Sequence, residues 1–319
     1  MTERRRLGRT DIELSPIGLG CWQFSSGFGR FKAYWSVVSQ DTVNEIVARS
    51  LALGIDWFDT AEFYGGGLSE EALSRALVAA GQQPGQVKVA TKWMPLMRTA
   101  SSILTTIDER RRRLAPFPVD LFQVHQPLGF SSVEAEMRAM AKLVELKKIR
   151  AVGVSNFSAR LMRRAHVELQ KHGLVLASNQ VEYSLLSRGI ERRGVIAAAK
   201  ELGVTVIAYS PLAQGVLSGR FHEDPEALKH LVGPRRWRGV FRKLERSRPL
   251  IDELRAVAKA HGATVAQVAL AWVLQFHGDT VVAIPGATKT YQVEDNAAAM
   301  QLTLTRAELD AIDARATSL

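Results

Sequence analysis

The sequence runs to 319 residues with 46% hydrophobic and 23% charged side chains, ordinary globular proportions that argue against disorder and suit one barrel-sized domain. A single cysteine, Cys21, excludes a disulfide framework and a cysteine-based zinc site, calls for no metal, and points to a reducing compartment. The net charge of +10 raises nucleic acid as a partner, but the basic residues are dispersed, and their densest groups, Arg110 to Arg113 and Arg235 to Arg248, sit in no nucleic-acid motif. Those groups read as solvated surface, with a rim for a phosphorylated cofactor as the competing reading.

Met1 to Arg6 carries charge with no apolar stretch behind it, which speaks against a secretory signal. No segment reaches the apolar length of a membrane helix, so a soluble, cytoplasmic protein is expected.

Along the chain, short β-branched runs alternate with helical patterns. A hairpin from Arg5 to Leu14 precedes a first short strand, Ile17-Gly18-Leu19-Gly20. A helix predicted from Asp41 to Leu53 carries Val43, Ile46, Val47 and Leu51 on one face and stops at Gly54. Ile55 to Asp59 is the second strand, and Leu68 to Ala80 its helix, with Glu70 and Glu71 favourably placed in the first turn. The third strand, Val87 to Lys92, leads to a helix from Ser101 to Leu114. The fourth, Val119 to His125, leads to a helix from Val133 to Leu146. Ile149 to Val154 and a helix from Ser158 to Lys171 follow, then Val175 to Asn179 and a helix from Arg192 to Leu202. After the seventh strand, Val204 to Ala208, comes a long connection. Helices are then predicted from Pro249 to His261 and from Thr264 to Phe276, the latter with Thr264 and Gln267 at capping-box spacing. Thr280 to Ile284 is the eighth strand, followed by a helix after Thr290 and a last one from Arg306 to Ala314.

Eight strands alternating with helices imply parallel pairing through right-handed crossovers. In this length they close most simply as an α/β (β/α)8 TIM barrel with an N-terminal β-hairpin and long loops on its C-terminal face. An open doubly wound sheet is the alternative. The first strand is followed by Cys21-Trp22-Gln23-Phe24, however, so the G-x-G-x-x-G fingerprint of a dinucleotide-binding sheet is missing. No low-complexity linker or repeat divides residues 1–319, which read as one domain.

Chemistry in such a barrel sits at the C-terminal ends of the strands. Those ends carry Asp59, Lys92, His125, Ser155-Asn156, Asn179-Gln180 and Tyr209-Ser210, and Tyr64 follows Asp59 in a Gly-rich loop. A strand-end Asp often caps a turn, a Lys often points to solvent, and a buried His is often structural. Three ionisable types ending consecutive strands are harder to assign to turn chemistry. A tyrosine titrates near 10. A neighbouring lysine stabilises its phenolate, a carboxylate fixes that lysine, and a neutral histidine orients a carbonyl oxygen. Tyr64, Lys92, Asp59 and His125 together suit the alkoxide charge that develops when hydride reaches a carbonyl carbon.

At these residues the sequence resembles the aldo-keto reductase superfamily. Gly54 to Gly65, with Asp59 and Tyr64, is similar to its first signature, Lys92 to the family lysine, and His125-Gln126-Pro127 to its H-x-P segment. The resemblance extends over nearly the whole chain. It implies a nicotinamide cofactor and a catalytic tetrad of Tyr64, Lys92, Asp59 and His125. It also implies that Ser155, Asn156 and Gln180 meet the carboxamide of that cofactor and that Tyr209 stacks on its ring. Ser210 to Gly219 resembles the pyrophosphate loop and brings in Ser210, Pro211, Leu212, Gln214, Gly215 and Ser218; an ordinary Gly-rich turn is the plain alternative. Gly286, Ala287, Thr288, Lys289, Gln292 and Asn296 resemble the adenosine end, where Lys289 supplies a charge for a 2′-phosphate and so favours NADP(H) over NAD(H). Thr288 departs from the family, since many relatives carry Arg there, and Leu128 stands where an acidic residue is common.

The expected function is NADPH-dependent reduction of aldehydes, ketones or sugar-derived carbonyls to alcohols, with Tyr64 as general acid. The partner is then a small carbonyl or alcohol substrate, not nucleic acid or membrane. The alternative is a nicotinamide-binding regulatory subunit that senses redox state. Trp22, Tyr34 and Trp93 are expected to wall an aromatic substrate pocket, with Cys21 a small buried side chain beside it. The basic segment from Phe221 to Arg248 reads as a cover for the cofactor or an oligomer contact.

Overall fold

The computed structural model describes residues 3–25, 38–224, 226 and 240–318. Tyr34, most of the aromatic loop around it, and much of the basic segment before Val240 lie outside these residues.

The predicted strands form one parallel sheet in chain order: β3 (Leu19–Gly20), β4 (Trp57–Asp59), β5 (Lys88–Trp93), β6 (Leu121–Val124), β7 (Ala151–Ser155), β8 (Leu176–Glu182), β9 (Thr205–Tyr209) and β10 (Val281–Ile284). Parallel bridges from Ile17 to Ala283 and from Gly20 to Gly286 bring its two edges together, so the sheet closes as a barrel. A separate antiparallel hairpin, β1 (Arg5–Arg6) with β2 (Glu13–Leu14), precedes it.

Side chains alternate across each strand, which sorts them into two cores. Outward residues such as Phe58, Val89, Phe122 and Val152 pack under the surrounding helices. Inward residues build a floor of Trp57, Ala90, Leu121, Ala151, Ala177, Ile207 and Val282, which the hairpin stoppers with Leu7, Ile12 and Leu14. Each Leu or Ile so buried contributes about 1.5–3 kcal/mol. Two residues further along the same strands the inward positions turn polar, as Asp59, Lys92, Gln123 and Tyr209. The hairpin therefore seals the end opposite the candidate chemistry.

Two helices differ most from their sequence-based ranges. The one predicted from Arg192 divides into Gly189–Arg192 and Val195–Leu202, because Gly194 at φ 71° breaks the helical path. The one predicted to begin at Pro249 runs from Val240 to His261 with the proline inside. Leu244, Ser247 and Leu250 are buried along it, and this packing overrides the lost proline N–H. The capping box at Thr264 and Gln267 forms as expected.

Candidate active site

β4 and β5 deliver Asp59 and Lys92 to the barrel interior, where their side chains are 1% and 0% exposed. A buried charge needs a partner, and here each supplies the other's. The Lys92 ammonium is ion-paired with Asp59 Oδ1 and donates to the Thr60 carbonyl at 2.8 Å and to the Tyr64 hydroxyl at 3.3 Å. The other Asp59 oxygen accepts from Gln123 Nε2 at 3.1 Å and Gln180 Nε2 at 2.8 Å. Gln123 was not singled out by sequence reasoning. The signal was its place two residues before His125, the next inward position on β6. Its room is made by Gly153, where a Cβ would fall 2.9 Å from Gln123 Cγ and 2.4 Å from Ser178 Oγ.

His125 follows β6 and extends its ladder, its N–H donating to the Trp93 carbonyl at 2.9 Å. The ring meets Tyr64 edge-on at 5.7 Å between centroids. Tyr64 is held on its other side by Trp22, stacked at 6.0 Å. Trp93 is a correction. Lys92 points inward, so its neighbour points outward; Trp93 is fully buried against the helix Ser101–Leu114, with its Nε1 donating to Ser102 Oγ at 3.0 Å. It packs the wall and does not line a pocket.

Burial pulls the Lys92 ammonium down, but Asp59 and Tyr64 outweigh it and the net shift is upward, so the lysine stays charged. Burial, then Lys92, push His125 down to about 3, which keeps its imidazole neutral over the working range. For Tyr64, burial raises the phenol above its usual value even though Lys92 pulls the other way. The lysine was expected to lower it outright; desolvation of the buried phenolate is the larger effect. Cys21 is fully buried, and burial followed by the Asp59 charge raises its thiol well above the usual range, which fits the small-side-chain reading.

The residues expected to hold a cofactor form the remaining rim. Ser155 Oγ donates to the Gln180 carbonyl at 2.9 Å, Asn156 Nδ2 to Ser155 Oγ at 3.1 Å, and Tyr209 OH to Asn156 Oδ1 at 3.1 Å. Gln180 spends its amide nitrogen on Asp59, which leaves the amide oxygen as its acceptor. Beyond Tyr209, the segment through Pro211 has left-handed backbone at Ser210, Ala213, Gln214 and Gly215, and Ser218 Oγ closes the turn onto the Gly215 carbonyl at 2.7 Å. Three of its N–H groups are spent inside the loop, Ala213 on the Ser210 carbonyl at 2.9 Å and Gly215 and Leu217 on the Leu212 carbonyl at 2.9 and 3.2 Å. After β10 and Gly286-Ala287, Gln292 Oε1 accepts from the N–H groups of Thr288 at 2.8 Å and Lys289 at 3.2 Å. Lys289 is exposed, while Asn296 is buried with its Nδ2 unpartnered among the described residues. Leu212 is half-buried at the same rim.

Comparison with known proteins points to one family. The model of the Aldo/keto reductase family matches residues 16–316. The oxidoreductase Mb2320 of Mycobacterium bovis is 38% identical over 305 residues, covering 94% of this chain and 88% of that protein. Probable aldo-keto reductase 1 of Glycine max is 29% identical, covering 95% of this chain and 86% of its own. Among solved structures, the thermostable aldo-keto reductase Tm1743 in complex with the inhibitor epalrestat superposes with a TM-score of 0.78 at 28% identity, covering 98% of this chain and 99% of its own. An aldo-keto reductase from Klebsiella pneumoniae in complex with NADPH gives 0.75 at 27% identity, covering 98% and 95%. With the barrel, the buried Asp59–Lys92 pair and a family match over almost its full length, this chain belongs to the aldo/keto reductase family.

Proposed function

We propose that this chain is a single-domain NADPH-dependent reductase that converts aldehydes or ketones, sugar-derived carbonyls among them, to alcohols. The observation that carries the reading is the meeting of the Tyr64 hydroxyl, the paired Lys92 and Asp59, and a neutral His125 at one end of the barrel. NADPH bound to its Klebsiella pneumoniae relative supports the choice of cofactor.

A bound nicotinamide supplies the hydride. Tyr64 gives its hydroxyl proton to the carbonyl oxygen as that oxygen gains charge, and recovers it from solvent afterwards. Its raised titration keeps the proton in place beforehand. Lys92, 3.3 Å from the hydroxyl, stabilises the phenolate left behind, and Asp59 holds Lys92 charged and in position. His125, neutral, hydrogen-bonds the carbonyl oxygen and orients it. Ser155, Asn156 and the amide oxygen of Gln180 would meet the carboxamide, the face of Tyr209 the ring, the loop 210–218 the pyrophosphate, and Lys289 and Asn296 the adenosine end.

The test is fluorescence titration with NADPH and NADH, followed by turnover on a panel of simple aldehydes, with Tyr64→Phe alongside the wild type. Tyr64→Phe is expected to bind NADPH within about twofold of wild type and to lose roughly 10²–10⁴-fold in turnover. A Tyr64→Phe enzyme that turns over at the wild-type rate refutes the assignment. Tight NADPH binding with no turnover on any aldehyde favours the redox-sensing subunit instead.

A further inference from the structure

The basic run from Arg110 to Arg113 divides in the structure. Arg111 and Arg112 face outward and pair at 3.1 Å with Asp108 and Glu109 on their own helix. Arg110 and Arg113, three apart and so on one helical face, turn toward the barrel wall. Arg110 is 6% exposed. Its Nη1 donates to Glu62 Oε2 at 2.6 Å, and its Nε lies 2.9 Å from Glu70 Oε2, an ion contact without the angle of a hydrogen bond. Glu62 uses its other oxygen to accept the Met94 N–H and Arg98 Nη1, each at 2.5 Å. Glu70 accepts from Thr91 Oγ1 at 2.6 Å. Arg113 Nη1 donates to the Gly66 carbonyl at 2.5 Å, while its Nη2 holds Glu109 at 2.7 Å.

These contacts bracket Tyr64 along the chain, with Glu62 before it and Gly66 and Glu70 after. The backbone between them is a single 3-10 turn, in which the Tyr64 N–H donates to the Ala61 carbonyl at 3.0 Å and the Leu68 N–H to the carbonyls of Tyr64 and Gly65. Gly65, Gly66 and Gly67 are all left-handed, with φ of 65°, 66° and 96°. Glycine is the freest residue, and fixing each backbone unit costs about 1–2 kcal/mol, so contacts from outside add to these few bonds in holding the turn. Arg113 lies so close that a Cβ at Gly67 would fall 2.0 Å from its Nη1. Lys92 is anchored by Asp59, so the gap between Lys92 and the Tyr64 hydroxyl depends on where residues 62–70 are held, together with the ring contacts of Tyr64 to Trp22 and His125.

We propose that Arg110, with Arg113, is a positioning residue for proton transfer: it clamps the backbone on both sides of Tyr64 and keeps the hydroxyl within reach of Lys92. The proposal rests on Tyr64 being the proton donor. It accounts for an arginine at 110, since a guanidinium fork spans Glu62 and Glu70 where the single ammonium of lysine does not.

The experiment uses Arg110→Lys, Arg113→Met, Tyr64→Phe and the two double variants, with thermal unfolding, NADPH affinity, and kcat and KM on a reactive aldehyde as readouts. Arg110→Lys is expected to lower kcat roughly ten- to hundredfold, and Arg113→Met less, with NADPH affinity within about twofold of wild type. In the Tyr64→Phe background neither substitution should lower the residual turnover further, because both act through the hydroxyl that is gone. Unfolding shifted with kcat unchanged in both arginine variants overturns the proposal, and so does a loss in the Tyr64→Phe background as large as in wild type. Should Arg110→Lys not fold, Arg113→Met decides alone, since its side chain is 18% exposed. Tyr64→Phe separates the two possible failures. A fully active Tyr64→Phe overturns the proton-donor reading and the clamp with it. An inactive Tyr64→Phe beside fully active arginine variants overturns the clamp only.

Discussion

Replacing His125 with glutamine tests the electrostatics of the site through stability alone. His125 is 9% exposed, and its Nδ1 has no hydrogen-bond partner among the described residues. Burial, then Lys92, hold it at about 3 in the fold, whereas a histidine in the unfolded chain titrates near 6.5. Between those values the unfolded chain binds a proton that the folded chain does not. The contribution of His125 is therefore complete above about pH 6.5 and is lost as pH falls toward 3, at about 1.4 kcal/mol per unit. From pH 7 to pH 5 the loss is about 2 kcal/mol. Two carboxylates work in the opposite sense. Burial, opposed by Arg110, lifts Glu70 to about 7, and burial lifts Glu136 to about 7. Both hold protons in the fold between about 4.5 and 7, so their contribution is lost as pH rises through that window. The raw stability curve mixes the two signs. The informative quantity is the difference between wild type and His125→Gln in urea unfolding at pH 7, 6 and 5, with equal m-values for the two proteins. That difference is expected to fall by about 2 kcal/mol across the series. A flat difference refutes the neutral His125, and with it the hydrogen-bonding role given to that ring.

Lys289→Ala is expected to weaken NADPH by up to about 1 kcal/mol, roughly fivefold, and to leave NADH almost unchanged, because the exposed ammonium has only a 2′-phosphate to gain. Equal losses in a titration of both cofactors would remove the phosphate contact. Trp93→Ala should cost about 3–5 kcal/mol in urea unfolding while the KM for a small aldehyde stays within about twofold, since the ring is buried under the helix Ser101–Leu114. A large KM change in a variant that remains folded would return Trp93 to the pocket.

What was legible in the sequence followed from strand ends. Asp59, Lys92 and His125 stand where β4, β5 and β6 stop or nearly stop, and the barrel rule then brings them to one rim. Trp22 was legible for the same reason, lying just past β3. Trp93 misled because closeness along a strand was taken for closeness in space, when neighbours on a strand face opposite ways. Gln123 was missed for the converse reason, since it shares a face with His125 without being a strand end. Arg110 and Arg113 were hidden inside a four-residue basic run that looks uniform in sequence. Only helical spacing separates the two that turn inward from the two that meet water. The start of the helix Val240–His261 was misplaced at Pro249 because local propensity was overruled by the burial of Leu244 and Ser247.

Thr91 and Lys92 show how the two polar layers depend on one another. They are consecutive on β5, so alternation sends Lys92 into the barrel to Asp59 and Thr91 outward to Glu70. The inner layer holds one cation and one anion, Lys92 and Asp59, with His125 neutral. The outer layer ties Glu62 and Glu70 to Arg110 and Arg98. The inner layer pairs its charges internally; in the outer layer Glu62 pairs with Arg98 and Arg110, while Glu70, lifted to about 7, keeps its proton below that pH. The chain between Asp59 and Glu70 passes from the first layer to the second, and Tyr64 lies midway. On the proposed clamp, a shift of the outer layer moves Tyr64 relative to a Lys92 that the inner layer holds still. That is a geometric reason for Tyr64, the proposed proton donor, to respond to residues that touch neither substrate nor cofactor.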